Sequence, residues 1–107
     1  MNPYDKAREL KQAIEQSDVY KKFTEAKTKM KEDESASTMV DDFREKQFDM
    51  QRRELLGEEV KEQELEKIQE LYNILNMNKN AAEYLNAEFN YARLMQDISE
   101  ILAELTE

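Results

Sequence analysis

KNAAEYLNAEFNYARLMQDISEILAEL, residues Lys79 to Leu105, is the stretch that decides the fold. At about 100° per residue its continuously polar strip is Asn86, Asn90, Arg93, Asp97, Glu100 and Glu104, some 80° wide. Most of the remaining circumference is apolar, including Tyr84, Leu85, Phe89, Leu94, Ile98 and Leu102. A helix that apolar must be central. Its 27 residues would span about 40 Å, longer than the roughly 34 Å diameter of a compact monomer of this size. Apolar side chains projecting past one protomer's core would meet water at about 25 cal/mol per Å², so a second protomer is the expected cover.

Upstream, four more helical blocks are separated by short polar breaks, none long enough to link domains. Asn2-Pro3 is an N-cap and first-turn pair, and the helix it opens runs to Gln16 with Tyr4, Ala7, Leu10 and Ile14 in one stripe. Ser17 caps the second block, whose stripe is Val19, Phe23, Ala26 and Met30. Glu32 to Ser35 is expected to be a turn, with Ser35 or Thr38 as the next cap and Thr38 with Asp41 forming a capping box. The third helix then reaches Leu56, where Gly57 supplies a left-handed residue. It is two-sided, with Met39, Val40, Phe43 and Met50 on one stripe and Phe48 with Leu55 opposite. The fourth, Lys61 to Leu75, carries Leu65, Ile68, Leu71, Tyr72 and Leu75 before Asn76-Met77-Asn78 breaks it.

Composition agrees. Of 107 residues, 18 are Glu, 11 Lys and 10 Leu against one Gly and one Pro, and Val with Ile number only eight. The expected fold class is all-α: an antiparallel bundle of about five helices, the third and fifth long, forming one domain over residues 1–107 and dimeric. The candidate dimer interface is Met39, Phe43, Phe48, Met50, Leu85, Phe89, Leu94, Ile98 and Leu102.

The absence of His and Cys removes an imidazole base, a thiolate nucleophile, disulfides and Cys-ligated clusters. One glycine cannot build a phosphate loop, and no Gly-x-Ser-x-Gly elbow is present. Glu62, Glu66 and Glu70 lie four apart and could in principle gather a divalent cation, yet bundle metal sites draw on Glu-x-x-His motifs. A solvated acidic face is favoured. Asp41-Asp42 and Glu58-Glu59 read as acids at helix N-termini. No catalytic residue, metal or cofactor is expected.

The net charge of −9 argues against non-specific nucleic-acid binding. Residues 1–57 carry 12 bases and 13 acids, residues 58–107 only 4 bases and 12 acids, so an anionic partner should meet the first half. The candidate anionic-partner surface is Lys21, Lys22, Lys27, Lys29 and Lys31. These lysines also flank the second helix's apolar stripe, where their stems would cover core edges. Met39, Met50 and Met95 read as core filling rather than an adaptable binding surface. Asn86, Asn90 and Arg93 either fix a dimer seam or face solvent. No apolar run approaches a membrane span, and the cytoplasm is the expected compartment.

Several of these residues form a recognisable set. They are Asn2-Pro3-Tyr4 with Leu10, Ile14, Ser17, Tyr20 and Phe23; Asp33-Glu34 leading to Phe43 and Gln47; Gly57; and Glu83-Tyr84-Leu85-Asn86-Ala87-Glu88. In them the chain resembles, over essentially its whole length, the YlbF/YmcA/YheA family of small helical proteins of Gram-positive bacteria. The resemblance implies a helical dimer or mixed oligomer without known catalysis, akin to accessory factors of competence, sporulation and biofilm development that work with RNase Y. Some members join a complex that carries iron–sulfur clusters through cysteines, which this chain lacks. The expected function is therefore a non-catalytic regulatory or adaptor protein that binds an as yet unidentified protein. The alternatives are an RNA-associated factor using the second helix and Arg52-Arg53, and, last, a metal-dependent enzyme.

Overall fold

A computed structural model describes residues 2–107. It contains five α-helices, α1 Pro3–Gln16, α2 Asp18–Glu32, α3 Glu34–Leu55, α4 Glu62–Asn76 and α5 Lys79–Ala103, and a closing 3-10 turn Glu104–Thr106. Among the described residues there is no strand, and the protein is all-α as its sequence predicts.

The boundaries follow from local chemistry. The Asn2 side chain accepts the Tyr4 N–H at 2.8 Å, and Pro3 occupies the first turn, where its missing N–H costs nothing. A single residue, Ser17, separates α1 from α2: its hydroxyl donates to the Ile14 carbonyl at 2.6 Å and accepts the Tyr20 N–H at 3.2 Å. At the other end of α3, Gly57 has φ +80. There the Glu58 N–H reaches the Arg53 carbonyl and the Gly57 N–H the Glu54 carbonyl, the paired bonds of a Schellman stop.

The start of α3 differs from expectation. The cap is Asp33, not Ser35 or Thr38: its carboxylate accepts the Ala36 N–H at 3.1 Å and the Asn80 side-chain amide at 2.9 Å. An ionised carboxylate is a stronger acceptor than a hydroxyl, and here it serves two donors at once. The helix consequently starts at Glu34, which leaves Asp41 and Asp42 in its interior rather than at an N-terminus. The Ala36 N–H and then the Asn80 amide hold the Asp33 carboxyl below its ordinary value of 3.8. A depressed carboxylate contributes stability that is present above the unfolded value and lost as pH falls through the folded one. Asp33→Asn, which caps comparably but does not titrate, should therefore show a shallower fall in melting temperature below about pH 4 than the parent protein. Parallel acid titrations followed by circular dichroism check this, and identical slopes would contradict it.

The chain divides into two compact units, residues 1–28 with 84–107 and residues 29–83. In the first, α2 and α5 run antiparallel and meet through rings. Phe23 stacks on Tyr91 at 4.7 Å between centroids and on Tyr84 at 6.0 Å, and Tyr20 tilts against Tyr91 at 5.8 Å. Tyr84, Ala26 and Ala87 are buried there, and the Tyr84 hydroxyl donates to the Glu88 carboxylate at 2.7 Å. The second unit packs α3 against α4. Its buried residues are Met30, Ala36, Val40, Phe43, Leu75 and Ala81. Phe43 tilts against Tyr72 at 5.8 Å.

Candidate interaction surfaces

In the unit 29–83, helix α3 shows both of the stripes read from its sequence. Val40 and Phe43 are buried and Met39 and Met50 half-buried, whereas Phe48 and Leu55 on the other side are exposed. Between α3 and α4 lies a groove of about 570 Å³ with Phe48, Met50, Val60 and Ile68 in its walls. Arg53 stands beside it. Its Nε donates to Glu58 at 3.2 Å, one Nη to Glu64 at 3.0 Å and the other to the Glu59 carbonyl at 3.2 Å. Glu64 also accepts the Lys61 N–H at 3.1 Å, which caps α4. The Arg53 hydrogen bond, with that N–H, holds the Glu64 carboxyl low, and Glu64 in turn raises Arg53. This cluster fastens the turn that joins α3 to α4.

That arrangement bears on the RNA alternative. Arg53 spends its donors on the turn, and Arg52 pairs with Asp49 at 2.7 Å. Sequence spacing did not reveal the Arg53 cluster, because its partners lie five and eleven residues on, across a glycine turn, where no helical repeat places them.

In the other unit, α5 presents Leu94 and Ile98 half-buried and Leu102 exposed along one stripe. Phe89 is exposed on the opposite side of α5, with half-buried Leu85 next to it on the helical wheel. Of the nine residues expected at a dimer interface, Phe48, Phe89 and Leu102 are therefore open to solvent, five are half-buried and Phe43 is enclosed beside Tyr72. Among the five lysines of α2, Lys21, Lys22, Lys29 and Lys31 are exposed. Lys27 is half-buried with its Nζ 5.9 Å from the Phe23 ring centre, a cation–π contact that ties its stem to the aromatic cluster. Among the described residues no group of three or more His, Cys, Asp or Glu is placed to hold a metal ion. No helix among them is long and apolar enough to cross a membrane.

The chain is similar to known proteins over nearly its whole length. A "UPF0342 protein" of Caldicellulosiruptor bescii is 41% identical over 106 residues, covering 99% of this chain and 89% of that one. A "UPF0342 protein" of Staphylococcus epidermidis is 36% identical over 104 residues, covering 97% and 91%. A solved structure, "Protein of Unknown Function (DUF964) from Bacillus stearothermophilus", superposes with a TM-score of 0.85 at 21% identity, covering 96% of this chain and 90% of that one, and shares its fold. None of these descriptions names a reaction. Residues 4–105 match the family described as "Control of competence regulator ComK, YlbF/YmcA", and the chain belongs to that family.

Proposed function

We propose that this protein is a non-catalytic regulatory adaptor of the cytoplasm, a homodimer that acts by presenting helical surfaces to another protein, with residues 1–107 serving as a single helical domain. One observation carries the proposal. Among the described residues nine apolar side chains are buried, four of them alanine, while thirteen large ones are exposed. A monomer that leaves more large apolar groups outside than inside forfeits the burial that stabilises small domains, and such surfaces mark sites of association. The interface draws on the open residues Phe48, Phe89 and Leu102, with Met39, Met50, Leu85, Leu94 and Ile98 at its edges and Phe43 supporting α3 from within. The exposed lysines of α2 form the anionic-partner surface. The family's link to control of the competence regulator supports a regulatory setting, and the resemblance to factors that work with RNase Y supports a partner in RNA processing.

Affinity capture from native cells, with and without nuclease, tests the role. The adaptor role predicts that a defined protein partner stays bound after nuclease digestion and at about 200 mM salt. Loss of every captured protein on digestion, together with RNA binding that weakens steeply with salt, would replace it with the RNA-associated alternative.

A further inference from the structure

At the turn that ends α3, two large apolar side chains stand open side by side. Leu55 is 88% exposed, more than any other large apolar residue among those described, and Leu56 is 65% exposed. Neither belongs to the candidate dimer interface. The backbone that carries them is fixed on both sides. Leu55 closes α3 and Leu56 is its C-cap, and Gly57, with φ +80, turns the chain directly after them. From the preceding turn of α3, Arg53 bonds Glu58, the Glu59 carbonyl and Glu64 across that bend. An anchor ordered before it binds lowers the ordering cost of association. Its surroundings are acidic. Residues 49–64, which include Asp49, Glu58 and Glu64, the partners of Arg52 and Arg53, carry six acids and three bases.

We infer that Leu55 and Leu56 form a preorganised docking knob for a different protein, one whose receiving pocket is apolar and rimmed by lysine or arginine. This rests on the adaptor role proposed above and adds which surface is presented and what chemistry receives it. Charge selects the occupant. The excess of acids repels nucleic acid and anionic lipid alike. A second copy does not offer the complement. Among the five helices only α2 carries more bases than acids, five against three, and no large apolar side chain on it is exposed. The groove between α3 and α4 is lined by four acids and three bases, and the groove beside α1 by one of each. Neither joins net positive charge to an apolar floor, so the complement comes from another protein.

Site-specific photo-cross-linking in native cells tests the inference. A diazirine amino acid replaces Leu56 in the full chain, and the same group in place of Ile74, 53% exposed on α4, is the control. The expected product joins position 56, and not position 74, to a different protein at a peptide where apolar residues lie among lysines or arginines. With that protein purified, Leu55→Ala together with Leu56→Ala should weaken binding about 100-fold in calorimetric titrations. Glu54→Lys with Glu59→Lys spares the Arg53 bonds, because Glu59 contributes only its carbonyl. That reversal should weaken binding about 10-fold and flatten its dependence on salt. Ile74→Asp should leave it within about 2-fold. Circular dichroism and sedimentation of the leucine variant should match the parent chain. If that variant loses helicity, the charge reversal decides. A product equal at positions 56 and 74, or one that joins position 56 to nucleic acid or to a second copy of this chain, would overturn the knob and leave the adaptor role standing. So would binding that ignores the leucine pair. No product at position 56, together with loss of every captured protein on nuclease digestion, would overturn both.

Discussion

Replacing Leu75 with alanine should destabilise the protein by about 3 kcal/mol, a shift of roughly 15 °C in melting temperature for a domain of this length. Leu75 is the only large side chain among the described residues with no exposed surface. It lies on α4 in the unit where only Met30, Val40 and Phe43 are the other sizeable buried groups. Deleting three buried carbons removes their transfer free energy and leaves a cavity that α3 and α4 close only partly. Leu65 on the same helix is 47% exposed, so Leu65→Ala should cost less than about 1 kcal/mol. Urea titrations of both variants, compared at unchanged slope, separate these outcomes. Equal costs would mean that Leu75 is not the centre of this core.

The second large effect belongs to the aromatic cluster. Tyr84→Ala removes a buried ring, one of the two faces stacked on Phe23 and the hydroxyl bound to Glu88. The expected loss is about 3 kcal/mol, in the usual range for large aromatic deletions. Tyr84→Phe keeps the ring and gives up only the hydrogen bond to a partly exposed carboxylate, for about 1 kcal/mol. The ordering tests whether ring packing or the hydroxyl holds α2 to α5. Near-ultraviolet circular dichroism adds a readout, because the stacked Phe23, Tyr84 and Tyr91 rings give a signal that Tyr84→Phe retains in part and Tyr84→Ala loses. A Tyr84→Phe variant as unstable as Tyr84→Ala would reverse the assignment.

Much of this fold is legible in the sequence because its helix ends are written in residues with one physical use. Asn2-Pro3, Ser17 and Gly57 each satisfy or terminate a helix in a way few other residues can, and the structure uses all three. The start of α3 was not legible. The tract Glu32-Asp33-Glu34-Ser35 offers several acceptors, and what selects Asp33 is Asn80, 47 residues away. The last turn is similar: α5 ends at Ala103 and tightens into a 3-10 turn, a change that the apolar repeat through Leu105 does not record.

The surfaces were half legible for the same reason. Periodicity shows that α3 has two apolar sides but not which one its own chain covers. The structure encloses Phe43 and leaves Phe48 open. On α5 the stripe is continuous in sequence, and only the placement of Tyr20 and Phe23 against Tyr91 and Tyr84 shows that cover is concentrated on its first half. The sequence leaves Arg53 available to the RNA alternative because the turn that delivers Glu58 and Glu64 to it has no local repeat.

Sedimentation equilibrium of the unmodified chain from about 1 to 100 µM is the most direct test of self-association through these open apolar faces. A homodimer gives a mass twice the 12.8 kDa of one chain over the upper part of that range, with a melting temperature that rises with concentration. A folded species of 12.8 kDa at every concentration, with a melting temperature that does not move, would contradict it.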